Sequence, residues 1–190
     1  MNSFFDNIIE KQGCVILDGA LATELEKRGA NLNHALWSAK LLIENPALIK
    51  QVHLDYLHAG ADIITTSTYQ ASFDGFAKEG YSKKQTEDLI QLSITIARQA
   101  IDEFLLTSPA SNRQVPLVAA SIGPYGASLA DGSEYRGNYN VSIEKLMEFH
   151  KHRLDLLAKS NANILAFETI PCLEEALAIK ELLKNYYMPL

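Results

Sequence analysis

Four short apolar runs, each followed by a longer run with apolar positions at helical spacing, restrict this chain more than any other feature of it. Strands that alternate with helices return to the sheet by crossover, so this order implies an α/β fold with a parallel sheet. Cys14–Asp18 reads as the first strand, with a short helix from Leu21 to Arg28 stopped by Gly29. Asn45 as N-cap and Pro46 at the first helical position open a helix that carries Leu48, Val52 and Tyr56 on one face and stops at Gly60. Ala61–Thr66 is the second strand, and Ser82-x-x-Gln85 is a capping box for a long helix buried through Leu89, Leu92, Ile96 and Ala100. Pro116–Ser121 is the third strand, and Ile143, Leu146, Met147, His150 and Leu154 mark the helix beyond the next loop. Asn163–Glu168 is the fourth, followed by a helix with Glu174 and Glu175 in its first turn and Leu173, Ala176, Ile179 and Leu183 turned inward. Met188-Pro-Leu190 begins a fifth strand. No linker divides residues 1–190, so they read as one structural unit.

Charge and composition exclude several partners. The net charge of −6 is spread without a basic stripe, which leaves no electrostatic footprint for nucleic acid or anionic lipid. The first residues carry Asp6 and Glu10 and lack the basic and apolar regions of a signal peptide, and no segment approaches the roughly 18 apolar residues of a membrane span. A cytoplasmic protein is expected. Cys14 and Cys172 are too far apart in sequence to suggest a disulfide framework.

Each strand turns from apolar to polar at its C-terminal end, at Asp18, Thr66 to Thr68, Ser121 and Glu168. In parallel α/β folds those ends, and the loops after them, build the active site. Asp18 and Glu168 end strictly apolar strands, so two carboxylates are expected to face one cavity. Such a pair suits general acid and base work, as in glycoside hydrolysis, or the grip of a cation such as an ammonium. The loop from Gly123 to Gly137, rich in Gly, Tyr and both charges, reads as a lid over ligand or as a solvated connection. It has no phosphate-cradle spacing. His34, His53, His58, His150 and His152 have no partners at metal-ligand spacing and are expected in surface or helix-packing roles. Trp37 belongs either to the active face or to the core.

The segments Leu17-Asp-Gly-Ala-Leu-Ala-Thr-Glu-Leu25, Thr65-Thr-Ser-Thr-Tyr-Gln-Ala-Ser72, Ser121 to Gly137 and Phe167-Glu-Thr-Ile-Pro171 resemble, in this order, the homocysteine S-methyltransferases. The likeness extends from about residue 14 to the end and is greatest to the branch that uses S-methylmethionine or S-adenosylmethionine. It implies a (β/α)₈ TIM barrel, of which these residues supply the first four βα units, since a whole barrel needs about 250 residues. It also implies methyl transfer from a sulfonium donor to the thiol of homocysteine, giving methionine, with selenocysteine as an alternative acceptor. Asp18 and Glu168 are then expected to hold the amino group of homocysteine, with Thr66 and Ser67 lining the same pocket. Tyr125 is expected to face the sulfonium with its ring. The family's zinc rests on three cysteines in its C-terminal half. Neither cysteine of this chain replaces them, since Cys14 lies about 13 Å down its strand from Asp18 and Cys172 is one thiol alone. The expectation is a fragment inactive by itself. The alternatives are carboxylate-based hydrolysis at Asp18 and Glu168, or a non-enzymatic half-barrel that self-associates through exposed edges.

Overall fold

A computed structural model of the protein describes residues 5–33, 36–108 and 113–186. His34 and the expected fifth strand at 188–190 lie outside them. The helices are α1 (Asp6–Gln12), α2 (Leu21–Lys27), α3 (Leu41–Glu44), α4 (Pro46–Ala59), α5 (Phe73–Lys78), α6 (Lys83–Thr107), α7 (Ser133–Arg136), α8 (Ile143–Ala158) and α9 (Leu173–Leu183). Two 3₁₀ turns, Trp37–Lys40 and Tyr125–Leu129, accompany them. The strands β1 (Ile63–Thr65), β2 (Leu117–Ile122) and β3 (Ile164–Phe167) form a parallel sheet in the order β1-β2-β3, with Ile64 opposite Val118 and Ala120 opposite Leu165.

The expected first strand shrinks to one parallel bridge, Leu17 to Ile63. Its backbone still runs beside β1, with Asp62 N donating to Ile16 O at 2.7 Å and Asp18 N to Ile63 O at 2.9 Å. The Asp62 carboxylate, however, takes the Ile16 N–H at 2.9 Å, so a side chain occupies a place that a ladder bond would hold. Arg113 fixes that carboxylate at 3.0 Å while also donating to Gly60 O and Ala61 O. A segment paired on one side only, and partly through a side chain, stays irregular.

Helix ends follow local chemistry closely. Asn45 Oδ1 caps α4 through Leu48 N at 3.2 Å, and Gly60 ends it at φ 112°. Ser82 and Gln85 form both halves of the capping box on α6. The buried faces are rotated from expectation. In α4 the centre of the stripe is Ile49, Val52, His53 and Leu57, with Leu48 and Tyr56 half-buried at its margins. In α6 the expected Ile96 and Ala100 are buried together with Ile90, Ile94, Ala97 and Ile101, while Leu89 and Leu92 are half-buried. α9 departs most: Leu173 is 69% exposed and Ala176 is exposed, while Glu175, Ala178, Ile179 and Leu182 turn inward. There a carboxylate with buried hydrogen-bond partners outweighs the leucine stripe.

The main core lies between the sheet and the helices, where Ile64, Val118, Ala120 and Leu165 meet α4, α6 and α8. Each fully buried Ile, Val or Leu side chain there contributes about 1.5–3 kcal/mol. The opposite sheet face, Ile63, Leu117, Ala119 and Ile164, forms a smaller apolar cluster. Apolar side chains on both faces are the mark of a parallel sheet meant to be covered twice. No described helix is long and apolar enough to cross a membrane.

Candidate functional site

The strand ends converge. Asp18 leaves the bridged segment beside Thr65, whose amide and hydroxyl both donate to the Asp18 carboxylate at 2.8 Å. Burial pushes Asp18 up to about 6, outweighing those two bonds, and the charge of Glu168 pushes in the same direction. Glu168 follows β3, held by its amide on Ile122 O at 3.1 Å. Its Oε1 is buried and has no hydrogen-bond partner. Asp18, Thr65 and Glu168 line one cavity of about 990 Å³ on the sheet's second face. Among the described residues neither acid pairs with a lysine, arginine or histidine. Two carboxylates at one cavity, one of them with an unused oxygen, are an arrangement suited to a cation with several N–H donors.

Glu168 also lines a smaller cavity of about 240 Å³ with Thr66, Ser121, Trp37, Tyr69 and Tyr135. Thr66 Oγ1 accepts from Ser121 N at 3.1 Å and lies 2.6 Å from Thr68 Oγ1, which donates to Ser121 O at 2.7 Å. The threonines thus tie the end of β1 to β2. Ser67 turns away: it lies past the end of β1, in the turn that follows, and its hydroxyl is 3.2 Å from Ser93 Oγ on α6. Tyr125 is not brought to the acids either. Its ring packs edge-on against Phe149 and Tyr139, with centroids at 5.1 and 5.4 Å. Trp37 stands at the cavity with φ 46° and meets Tyr69 at 6.0 Å between centroids.

Behind these loops lies a buried polar cluster that the sequence reading missed. Arg153 of α8 donates to Gly123 O at 2.7 Å, Tyr69 O at 3.3 Å and Ala71 O at 3.4 Å, joining the loops after β1 and β2. Burial lowers Arg153 only to about 10, so it keeps its charge at neutral pH. Arg153 also donates to His150 Nδ1 at 3.3 Å, which leaves the Nε2 proton for Glu175 Oε1 at 2.8 Å. Glu175 further accepts the Tyr125 amide at 2.5 Å. Burial lowers the His150 pKa, so the imidazole is neutral and links the two charges. Gly123 fits between: a Cβ there would lie 2.5 Å from Tyr69 O. The available signal was Arg153 on the apolar stripe of α8, between His150 and Leu154, where a charge needs a buried partner.

His53 is fully buried with neither ring nitrogen bonded, and His58 and His152 stack edge-on against Phe104 and Phe73. Cys14 is exposed and Cys172 half-buried. Among the described residues no three His, Cys, Asp or Glu side chains converge to hold a metal, so these residues do not fit a zinc centre.

A family model of homocysteine S-methyltransferases matches residues 15–190. The homocysteine S-methyltransferase YbgG of Bacillus subtilis is 55% identical over 181 residues, covering 95% of this chain and 58% of its own length. The homocysteine S-methyltransferase of Escherichia coli is 49% identical over 179 residues, 94% of this chain and 57% of its own. The crystal structure of the Escherichia coli homocysteine methyltransferase MmuM in its metallated form superposes with a TM-score of 0.88 at 48% identity, over 95% of this chain and 62% of that one. Its oxidized form gives 0.91, also at 48% identity, over 97% of this chain and 63% of that one. The chain therefore spans 57–58% of the length of these two curated relatives.

Proposed function

Because the chain belongs to the homocysteine S-methyltransferase family, we propose that it supplies the homocysteine-holding wall of a barrel that methylates the homocysteine thiol from a sulfonium donor. The observation that carries this reading is the meeting of Asp18 and Glu168 at one cavity, with Glu168 Oε1 left unbonded. The α-ammonium of homocysteine provides the missing donors, and Thr65 keeps the Asp18 carboxylate turned toward it. Trp37, Tyr69 and Tyr135 present aromatic faces beside Glu168, the surroundings a sulfonium prefers. Among the aromatic residues they take the place in this reading that the sequence assigned to Tyr125.

In the transfer, the homocysteine sulfur gives an electron pair to the methyl carbon, and the bond from that carbon to the donor sulfur breaks. The donor leaves as a neutral thioether, and the thiol proton passes to solvent. A free thiol has a pKa of about 8.5, and zinc, where the family uses it, supplies the thiolate. Since no such site forms among the described residues, its ligands belong in this reading to the length that the relatives have beyond the match. What these residues do is orient the amino acid and exclude water around the two sulfurs.

Calorimetric titration with homocysteine tests the proposal. Saturable binding that Asp18→Asn and Glu168→Gln both weaken is the expected result, and unchanged affinity in both variants would remove the reading. Incubating the chain with homocysteine, S-methylmethionine and zinc should give little or no methionine. A second reading is favoured by the apolar lining of the large open cavity, with Val15, Leu17, Ile63 and Ala166 on its wall. On it the chain pairs with itself through that face, and light scattering would find a dimer.

A further inference from the structure

Trp37, Tyr69 and Tyr135 also line a neighbouring cavity of about 580 Å³, whose wall includes Gln70 and Glu134. Both residues bring an unused acceptor. Glu134 is 9% exposed, and its Oε2 is buried without a hydrogen-bond partner. Gln70 Nε2 donates to Ala127 O at 3.2 Å, which fixes the amide orientation and leaves Gln70 Oε1 buried and unbonded. The segment's own cation does not serve them, because Arg136 is engaged by Asp131, at 3.2 Å from its carbonyl oxygen and 4.0 Å from its carboxylate.

The position of Glu134 is built into the chain. A Cβ on Gly126 would stand 2.6 Å from Glu134 N, so the turn Tyr125–Leu129 packs directly against the Glu134 backbone. Ser133 N is fixed on Asp131 Oδ1 at 2.9 Å. Burial raises the pKa of the Tyr69 phenol, a hydrogen bond with Thr169 lowers it, and the charges of Glu134 and Glu168 raise it, so both carboxylates act on this ring. The sequence of groups is therefore acid pair, aromatic rings, then a second acceptor set with no donor.

Two orphaned acceptors, one of them anionic, beyond a group of aromatic faces match a ligand with two separated cationic centres. A sulfonium has no N–H and satisfies only the rings, whereas a primary ammonium has three N–H donors for Glu134 and Gln70. Resting on the methyl-transfer reading, we propose that Glu134 and Gln70 bind the α-ammonium of an amino-acid sulfonium donor and so set donor specificity. Sulfonium or quaternary ammonium donors without N–H groups leave both acceptors unbonded and are disfavoured.

Trp37, the single tryptophan of the chain, lines this cavity and reports its occupancy by fluorescence. The protein is titrated with S-methylmethionine and with its des-amino analogue, as wild type and as Glu134→Gln. Wild type should bind the amino donor at least tenfold more tightly, and E134Q should lose that advantage without changing its affinity for the analogue. Equal affinity of the wild type for the two donors, unchanged affinity of E134Q for S-methylmethionine, or no saturable response to either donor would each overturn the proposal. The wild-type comparison does not depend on how the variant folds. Homocysteine binding, followed in parallel by calorimetry, separates the two readings. If it holds while donor discrimination fails, only this inference falls; if it fails while discrimination holds, the methyl-transfer assignment falls.

Discussion

Glu168 and Glu175 stand on either side of the turn that leads from β3 into α9, and their carboxylates meet opposite surroundings. Glu175 is fully buried, accepts at Oε1 from His150 and from the Tyr125 amide, and is linked through His150 to Arg153; its Oε2 is as unbonded as Glu168 Oε1, so the linked cation is what separates the two acids. Glu168 has a buried oxygen with no partner and shares a cavity with a second acid that also lacks a cation. An acid neutralised within the protein holds loops in place, whereas an acid left without a cation at a cavity is shaped for a ligand that brings one. The contrast predicts that the two glutamates fail differently when replaced. Glu175→Ala leaves Arg153 buried without a counter-charge and should cost about 3–5 kcal/mol in urea unfolding. That is enough to unfold a marginal chain. Glu168→Gln should shift stability by no more than about 0.5 kcal/mol while abolishing tight amine binding. Equal losses of stability in the two variants would end the distinction.

His53 sharpens it from another side, being buried and unpartnered yet lining none of the cavities described. Burial lowers its pKa to about 4. Between about 6.5 and 4 the unfolded chain binds a proton that the folded chain refuses, so stability from this group falls as pH falls. The cost reaches about 3 kcal/mol at pH 4. Asp18 works against it in the same range, since its raised pKa lets the folded chain take up a proton first as pH falls. His53→Leu isolates the histidine: its advantage over wild type in unfolding free energy should widen by that amount between pH 7 and pH 4. A constant margin would mean that His53 finds a partner in solution.

How far these features were legible in the sequence depends on the range of the interaction that sets them. The capping box at Ser82 and Gln85, the Asn45-Pro46 start and the stop at Gly60 are local and were readable. The convergence of Asp18 and Glu168 was legible as well, because the ends of parallel strands share one side of a sheet. The faces of α4 and α9 were not, since period alone does not say that His53 or Glu175 turns inward. For Glu175 that choice depends on Tyr125 and His150, remote in sequence and adjacent only in the fold. Ser67 was placed in the pocket by its neighbours in a motif, yet the turn after β1 carries its hydroxyl to Ser93.

The acid pair itself gives the next effect in size. Asp18→Asn removes one charge-assisted contact to the ammonium and should weaken homocysteine binding by about 1.5–3 kcal/mol, roughly 10- to 150-fold. The same affinity should fall in wild type as pH drops below about 6, where the free protein protonates Asp18 and the ammonium loses its partner. In D18N that part of the pH dependence should vanish. Persistence of the full acid limb in D18N would move the titration to another group.

The smallest expected effect tests what the aromatic rings add to the acids. Tyr69 contributes its ring to both cavities beside Glu168 and its carbonyl to Arg153, and substitution of the side chain touches only the first. If the ring face attracts the sulfonium, Tyr69→Phe keeps donor affinity and Tyr69→Leu loses about 0.5–1 kcal/mol, roughly two- to fivefold. If the phenol hydroxyl carries the interaction, Tyr69→Phe loses as much as Tyr69→Leu. Homocysteine affinity should stay unchanged in both variants, since Tyr69 does not line the larger cavity where Asp18 and Glu168 meet. A parallel loss there would mean that the two cavities act as one, and that the acids and the rings hold a single ligand.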